Sequence, residues 1–259
     1  MYQIDLSGTT GLIFGVANKR SIAWTIAQAL HTAGARLAFT YEGERIEAMV
    51  RQLVEPLAGA LVIPCDVTDD SQIEAVYRTV AEEFGHLNYL IHSVAYARQE
   101  DLEGAFLDTS RDGFHIALDV SAYSLIPLVR HATPLMERAG GGSVVALTYM
   151  ASEKVFPNYN VMGSAKSALE HAIRQLAYEL GDKNIRVNGI SAGPLKTLAA
   201  RGIAGFTDML HAHRERAPLK RNINHDEVAK TALYLCSDMA SGVTGEIIHV
   251  DAGYHIMGI

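Results

Sequence analysis

Thr10 to Phe14 is an apolar run of strand length, and Gly15 follows it directly. A glycine there lets the backbone turn tightly where the strand ends. A helix is expected from Ile22 to about Ala33, with Ala23, Ile26, Ala27 and Leu30 on one face and Gly34 as its stop. Ala35 to Thr40 reads as the next strand. Strand, glycine turn, helix, strand is a βαβ unit, with about the length that half of a dinucleotide-binding fold requires. Ser21 is placed to cap the helix, and the amides of the first turn can face a pyrophosphate. The turn carries one glycine rather than GxGxxG, so taken alone it is equally an ordinary strand-to-helix connection.

The same alternation runs on. Glu44 to Leu57 reads as helix, and Ala60 to Cys65 as a strand with Pro64 confined to its end. Asp69 starts a helix that continues to Phe84, and Leu87 to His92 is a strand. A long, interrupted helical region covers about Ser110 to Arg138. Val144 to Leu147 is a buried strand, about Asn158 to Leu180 a helix behind Pro157, and Ile185 to Ser191 a strand. Asp226 to Ser237 is the last helix and Glu246 to Val250 the last strand. Alternation of this kind predicts one α/β domain over residues 1–259: a doubly wound, parallel seven-stranded sheet of the Rossmann type with helices on both faces. The stretch from Leu198 to Arg216 is rich in Ala and His, with Gly202 and Gly205 inside, and is expected to be a small mobile cover over the substrate. Ligands of such sheets bind beyond the carboxyl ends of the strands. Gly15, Asp66, Ser93, Tyr149 and Gly193 each follow a predicted strand and should gather along that edge.

Composition removes several function classes. A net charge of -7 without any block of like charge argues against a nucleic-acid surface. Cys65 and Cys236 are far apart and form no CxxC, which fits a reducing cytoplasm and neither a disulfide framework nor a cysteine zinc site. The eleven histidines form no HExxH or other tight ligand spacing, so no metal is expected. The start of the chain has no basic n-region, and no apolar stretch reaches spanning length, so neither a signal peptide nor a membrane span is expected.

Three polar groups stand on an apolar background around the fifth strand: Tyr149, Tyr159 and Lys166. Tyr159 and Lys166 are seven apart, about two turns at 3.6 residues per turn, and would share one helix face. A phenol and an ammonium facing one cleft make a proton donor backed by a cation, and the cation should lower the phenol's pKa. On spacing alone the pair is also what unrelated core and surface residues would give.

The stretches GVANKRSIAW (Gly15 to Trp24), YNVMGSAKSALE (Tyr159 to Glu170), RVNGISAGPLKTLAA (Arg186 to Ala200) and GEIIHVDAGY carry a resemblance over nearly the whole chain. The chain resembles the short-chain dehydrogenase/reductases and, within them, the bacterial NADH-type enoyl-acyl-carrier-protein reductases. Ordinary members of the superfamily use Tyr-x3-Lys, with a serine about thirteen residues before the tyrosine. Here those two positions hold Met162 and Tyr149. The resemblance implies reduction of a trans-2-enoyl thioester by NADH, with Tyr159 as proton donor, Lys166 on the nicotinamide ribose and Tyr149 shaping the site. It places Gly15, Ser21 and Ile22 at the pyrophosphate, Asp66 and Val67 at the adenine, Ser93 and Val94 near the ribose, and Leu195, Lys196, Thr197, Leu198 and Ala199 along the nicotinamide. It places Ala97 against the acyl chain, with Tyr96, Met162 and Phe206 as walls. The chain departs from the family at Tyr96, where Phe is common, and at Glu42, where the related NADH enzymes often carry Gln. Glu42 follows the second strand and would accept from an adenosine ribose hydroxyl, or else merely start the next helix. The implied partners are an acidic acyl carrier protein and three further copies of the chain in a homotetramer. The apolar end, with Ile247, Ile248, Val250, Ile256, Met257 and Ile259, suits burial against a neighbour. Near the cover only Arg201 precedes Arg214, which leaves the carrier's docking surface open. The other readings are a ketoacyl-type reductase and a non-catalytic dinucleotide sensor.

Overall fold

The computed structural model describes residues 3–197, 200 and 205–258. Seven strands form one sheet in the order β3-β2-β1-β4-β5-β6-β7, and every neighbouring pair is parallel. The strands are β1 Thr10–Phe14, β2 Arg36–Tyr41, β3 Leu61–Pro64, β4 Tyr89–His92, β5 Gly142–Thr148, β6 Ile185–Ala192 and β7 Ile247–Val250. The helices are α1 Ile22–Thr32, α2 Glu44–Val54, α3 Asp70–Phe84, α4 Gln99–Leu102, α5 Arg111–Leu118, α6 Leu125–Arg138, α7 Asn160–Leu180, α8 Phe206–Arg216 and α9 His225–Cys236. Strand order reverses between β1 and β4, which opens the crevice that ligands use in such sheets.

Side-chain alternation along the strands divides the core in two. Ile13, Leu37, Phe39, Ile91, Val145 and Ile190 pack with α1, α2 and α9 on one face. Leu12, Phe14, Ala38, Leu90, Val144 and Val187 pack with α3, α6 and α7 on the other. A strand apolar on both faces survives only between two helical layers, and that is why these runs read as continuous hydrophobic stretches. Pro64 ends β3, which is an edge strand, so its missing N–H interrupts no ladder.

Two expectations need correction, at Ser21 and at the start of α7, and one gains its detail, the interruption of the 110–138 helical region. Ser21 is the residue before α1, but its side chain does not cap the helix. Its Oγ accepts from the amides of Ala17 and Asn18, at 3.0 and 3.1 Å, and so braces the glycine turn from within. The long helical region divides at a π turn, Asp119–Tyr123, closed by the Ser124 amide on the Asp119 carbonyl at 3.0 Å. α7 begins at Asn160 rather than Asn158, because Asn158 and Asn160 take positive φ of 61° and 24° and turn the chain sharply on either side of Tyr159. In the expected cover, Gly205 has φ 75° and α8 follows it as a regular helix; Leu198, Ala199 and residues 201–204 lie outside the described residues.

Candidate active site

A cavity of about 610 Å³ opens along the carboxyl edge of the sheet. Gly15, Ser93, Tyr149 and Gly193, each just past a strand, all line it. Gly15 has φ 97°, and a Cβ there would collide with the Ser93 carbonyl oxygen, so only glycine lets β1 turn this close to β4. Ser21, Ile22, Glu42, Val67 and Val94 line the same cavity, as do Leu195, Thr197, Tyr96, Ala97, Met162 and Phe206.

Asp66 does not reach it. Its carboxylate folds onto its own turn, accepting from the Thr68 amide at 2.9 Å and the Thr68 hydroxyl at 2.7 Å, while Cys65 and Val67 on either side face the cavity. Lys196 turns away into a second cleft of about 380 Å³, beside His211, Arg214 and His225, for which Pro194 and Leu195 are the shared wall. Leu198 and Ala199 are not described. Met209 on α8 was not foreseen: the Tyr149 hydroxyl donates to its sulfur at 3.4 Å. Gln99 and Leu102 of α4 also line the cavity and were not foreseen. Their sequence neighbourhood carries no periodic or glycine signal that would have marked them.

Tyr149, Tyr159 and Lys166 meet in the cavity. The rings of Tyr149 and Tyr159 lie 5.0 Å apart and tilted, and Phe156 packs on Tyr149 at the same 5.0 Å. Lys166 is buried on α7, and its Nζ donates to the Leu147 carbonyl at the end of β5, at 2.8 Å. One turn further along α7, buried Glu170 accepts from the Thr148 hydroxyl at 2.8 Å, so a cation and an anion of the same helix are tied to the same strand.

The electrostatics invert one expectation. Lys166 does not lower the phenol of Tyr159. Burial of the hydroxyl end raises it above its ordinary 10, because a phenolate there would have little water to solvate it. Burial, reinforced by Tyr159, raises Tyr149 as well. The same loss of water drives the Lys166 ammonium down to about 8, with Glu170 pulling the other way. Both tyrosines therefore hold their protons firmly at neutral pH, while Lys166 keeps its charge by a small margin.

The cavity fits a dinucleotide at its Gly15 end. The Ser21 oxygen accepts inside the turn rather than from α1, so the amides of Ile22 and Ala23 have no side-chain cap and can face an anionic group. Among the described residues no group of three or more His, Cys, Asp or Glu could hold a metal, and no helix is long and apolar enough to cross a membrane.

Comparison with known proteins agrees with this geometry. The family model for enoyl-(acyl carrier protein) reductase matches residues 15–255. The NADH enoyl-[acyl-carrier-protein] reductase of Bacillus cereus is 51% identical over 255 residues, covering 98% of this chain and 99% of that protein. The corresponding Bacillus subtilis protein is 50% identical over 254 residues, covering 97% and 98%. Among solved structures, the Bacillus cereus reductase with NADP+ and indole naphthyridinone superposes with a TM-score of 0.95 at 50% identity, covering 98% of this chain and 100% of that one. The Aquifex aeolicus NADH enzyme gives a TM-score of 0.95 at 48% identity, covering 98% and 99%. The chain belongs to the enoyl-acyl-carrier-protein reductase family.

Proposed function

We propose that the chain reduces the 2,3 double bond of trans-2-enoyl thioesters borne by acyl carrier protein, using NADH, in the last step of each fatty-acid elongation cycle. The observation that carries this is the meeting of Tyr159, Tyr149 and Lys166 in one cavity with the Gly15 turn and the uncapped start of α1. NADH, when bound, would supply a hydride from C4 of its nicotinamide to the β-carbon. The 2,3 pair would then shift into the bond between the α- and carbonyl carbons, the carbonyl pair would move onto the thioester oxygen, and return of that pair with uptake of a proton from water at the α-carbon would complete the saturated product. Tyr159 donates a hydrogen bond to that oxygen as its charge develops. A phenol that burial keeps protonated suits a donor better than a base. Lys166 holds the nicotinamide ribose and keeps a positive charge beside the developing anion. Gly15, Ser21 and Ile22 form the pyrophosphate cradle, Glu42, Val67, Ser93 and Val94 the adenosine side, and Leu195 and Thr197 the nicotinamide side. Tyr96, Ala97, Met162 and Phe206 take the acyl chain.

We read residues 1–259 as a single unit in which α8, whose Phe206 and Met209 line the cavity, serves as the cover over the substrate. The cationic side chains of the second cleft, Lys196 and Arg214, offer an acidic carrier a place to dock beside that cover. A homotetramer is supported by the apolar end: β7 is an edge strand exposed in part along its whole length, and Ile256 is 68% exposed. Two buried free cysteines suit a reducing cytoplasm.

A ketoacyl-type reductase would need a hydroxyl donor at Met162, whose thioether has no proton to give. Following NADH absorbance with crotonyl- and longer enoyl-thioesters, and in parallel with acetoacetyl-thioester, tests the reading. Oxidation with the enoyl substrates alone is expected. Oxidation with acetoacetyl-thioester alone would favour the ketoacyl reading, and none with either the sensor. Light scattering that gave a monomer at micromolar concentration would contradict the tetramer.

A further inference from the structure

The segment leaving β4, Ser93 to Ala97, lines the cavity residue by residue yet has no regular structure of its own. Its ladder ends at the Ser93 amide, which donates to the Phe14 carbonyl at 3.2 Å. Among the described residues, the backbone of 94–97 makes hydrogen bonds to one side chain only, that of Ser121. The Tyr96 amide donates to Ser121 Oγ at 3.0 Å, and Ser121 Oγ donates back to the Tyr96 carbonyl at 3.1 Å. A hydroxyl has one proton to give, and here both its giving and its accepting are spent on one residue. Ser121 is 0% exposed and cannot exchange these bonds for water, whereas Tyr96 as a residue is 53% exposed.

Ser121 sits in the π turn that divides the α5–α6 region. The same turn presents Ser124, also 0% exposed. Its hydroxyl donates to the Val120 carbonyl at 2.7 Å and lies 2.9 Å from Nε2 of His92, the last residue of β4. The Ser124 proton is already used, so His92 Nε2–H is the donor of that contact. The widened turn thus grips the chain at two points, the buried end of β4 and the middle of the wall beyond it. π turns interrupt helices at a cost in regular hydrogen bonding and concentrate at functional sites.

We propose that Ser121 is a positioning residue for the acyl-chain pocket: by holding both backbone groups of Tyr96 it fixes the wall at Tyr96 and Ala97 and so sets which enoyl chains fit. This rests on the reading of the cavity as an enoyl-thioester site. Ser121 does not line the cavity, whereas Tyr96 and Ala97 do, and its effect passes through them.

The test combines kinetics with amide exchange, so that the clamp is measured apart from the activity. In the parent protein the Tyr96 amide should exchange slowly although the residue is exposed, because its acceptor is buried. Ser121→Ala should speed that exchange by about tenfold or more, raise KM for enoyl thioesters about tenfold and change the ratio of kcat/KM between four- and eight-carbon chains. The Kd for NADH, read by fluorescence, should stay within about twofold. Ser121→Cys, nearly the same size but a weaker partner, should fall between the two, and it replaces Ser121→Ala if that variant does not fold. A parent Tyr96 amide that exchanges as freely as an open loop would overturn the proposal. So would a variant with unchanged KM and chain-length ratio, or one that loses NADH affinity in step with KM, since that is general damage to the site. If the parent reduces no enoyl thioester, the functional reading fails while the exchange result still decides whether the clamp exists.

Discussion

The ionisation of Lys166 tests how burial and charge are balanced in the cavity. The residue is 5% exposed, and its ammonium donates to the Leu147 carbonyl at 2.8 Å and has its pKa drawn from 10.5 to about 8 by loss of water. Each tenfold change in an ionisation constant is worth about 1.4 kcal/mol, so keeping the charge in this setting costs the fold about 3 kcal/mol. Tyr159 moves the opposite way and stays protonated well above pH 10. The alkaline limb of the activity therefore belongs to Lys166 and not to the phenol. kcat/KM for NADH, which reports the free enzyme, should be level near neutrality, reach half its plateau near pH 8 and then fall about tenfold per pH unit. Lys166→Met should show a low plateau and no such limb. A limb that persists in Lys166→Met, or a parent limb centred at pH 10 or higher, would refute the assignment.

The same shift fixes the sign of a stability change. The folded pKa lies below the unfolded one, so between about pH 8 and 10.5 the unfolded chain binds more protons, and stability rises with pH. Urea unfolding of the parent should show a gain approaching about 3 kcal/mol from this group across that window. Subtracting the Lys166→Met profile isolates it from the titration of other groups. A parent profile that ran parallel to that of Lys166→Met would show that the ammonium is better solvated than its burial implies.

Three further outcomes follow from the site. Tyr159→Phe should lower kcat about 10²- to 10³-fold while the NADH Kd by fluorescence stays within about twofold, because the hydroxyl meets charge only in the transition state. Thr148→Val removes the 2.8 Å donor to buried Glu170 and should cost about 1–3 kcal/mol in urea unfolding. Side-by-side kinetics should show the parent favouring NADH over NADPH by at least about tenfold in kcat/KM, roughly 1.4 kcal/mol, because the Glu42 carboxylate at the cavity repels a 2′-phosphate; Glu42→Gln should shrink that ratio.

The fold was legible because its signals are local and repeated. Apolar runs of strand length alternate with helical runs, and parallel strands must be joined by crossovers, so the sheet and its two helical layers follow. Element ends were less legible. The start of α7 depended on Asn158 and Asn160 entering positive φ, which asparagine tolerates but does not require. That the 110–138 region is interrupted was legible, but nothing between Asp119 and Tyr123 marks the place or the π form of the break. Much of the site was legible too, because Gly15, Ser93, Tyr149 and Gly193 are all strand-end residues and the topology alone brings strand ends together. Asp66 and Lys196 escaped that logic. A strand-end position fixes where the backbone is, but Asp66 turned to the nearer donors of Thr68, and Lys196 turned to the far side of its loop.

The sign of the Tyr159 shift shows why spacing cannot stand in for environment. A separation of seven positions between a phenol and an ammonium fixes an approximate distance, and at that distance the expected effect is Coulombic and lowers the phenol's pKa. Attraction of this kind falls off with separation, whereas the cost of removing water depends on everything packed around the group. Around Tyr159 that packing includes the Tyr149 ring, from the far end of β5, with Phe156 and Met209 gathered about the same ring. Met209 comes from α8, sixty positions away from Tyr149 in the chain. No window of sequence contains these groups together. The Lys166 ammonium is meanwhile engaged by the Leu147 carbonyl. Desolvation therefore wins at both members of the pair and drives their pKa values apart, Tyr159 held as a neutral acid and Lys166 close to losing its proton. A neutral donor beside a readily lost cation is an arrangement that only the assembled cavity can produce.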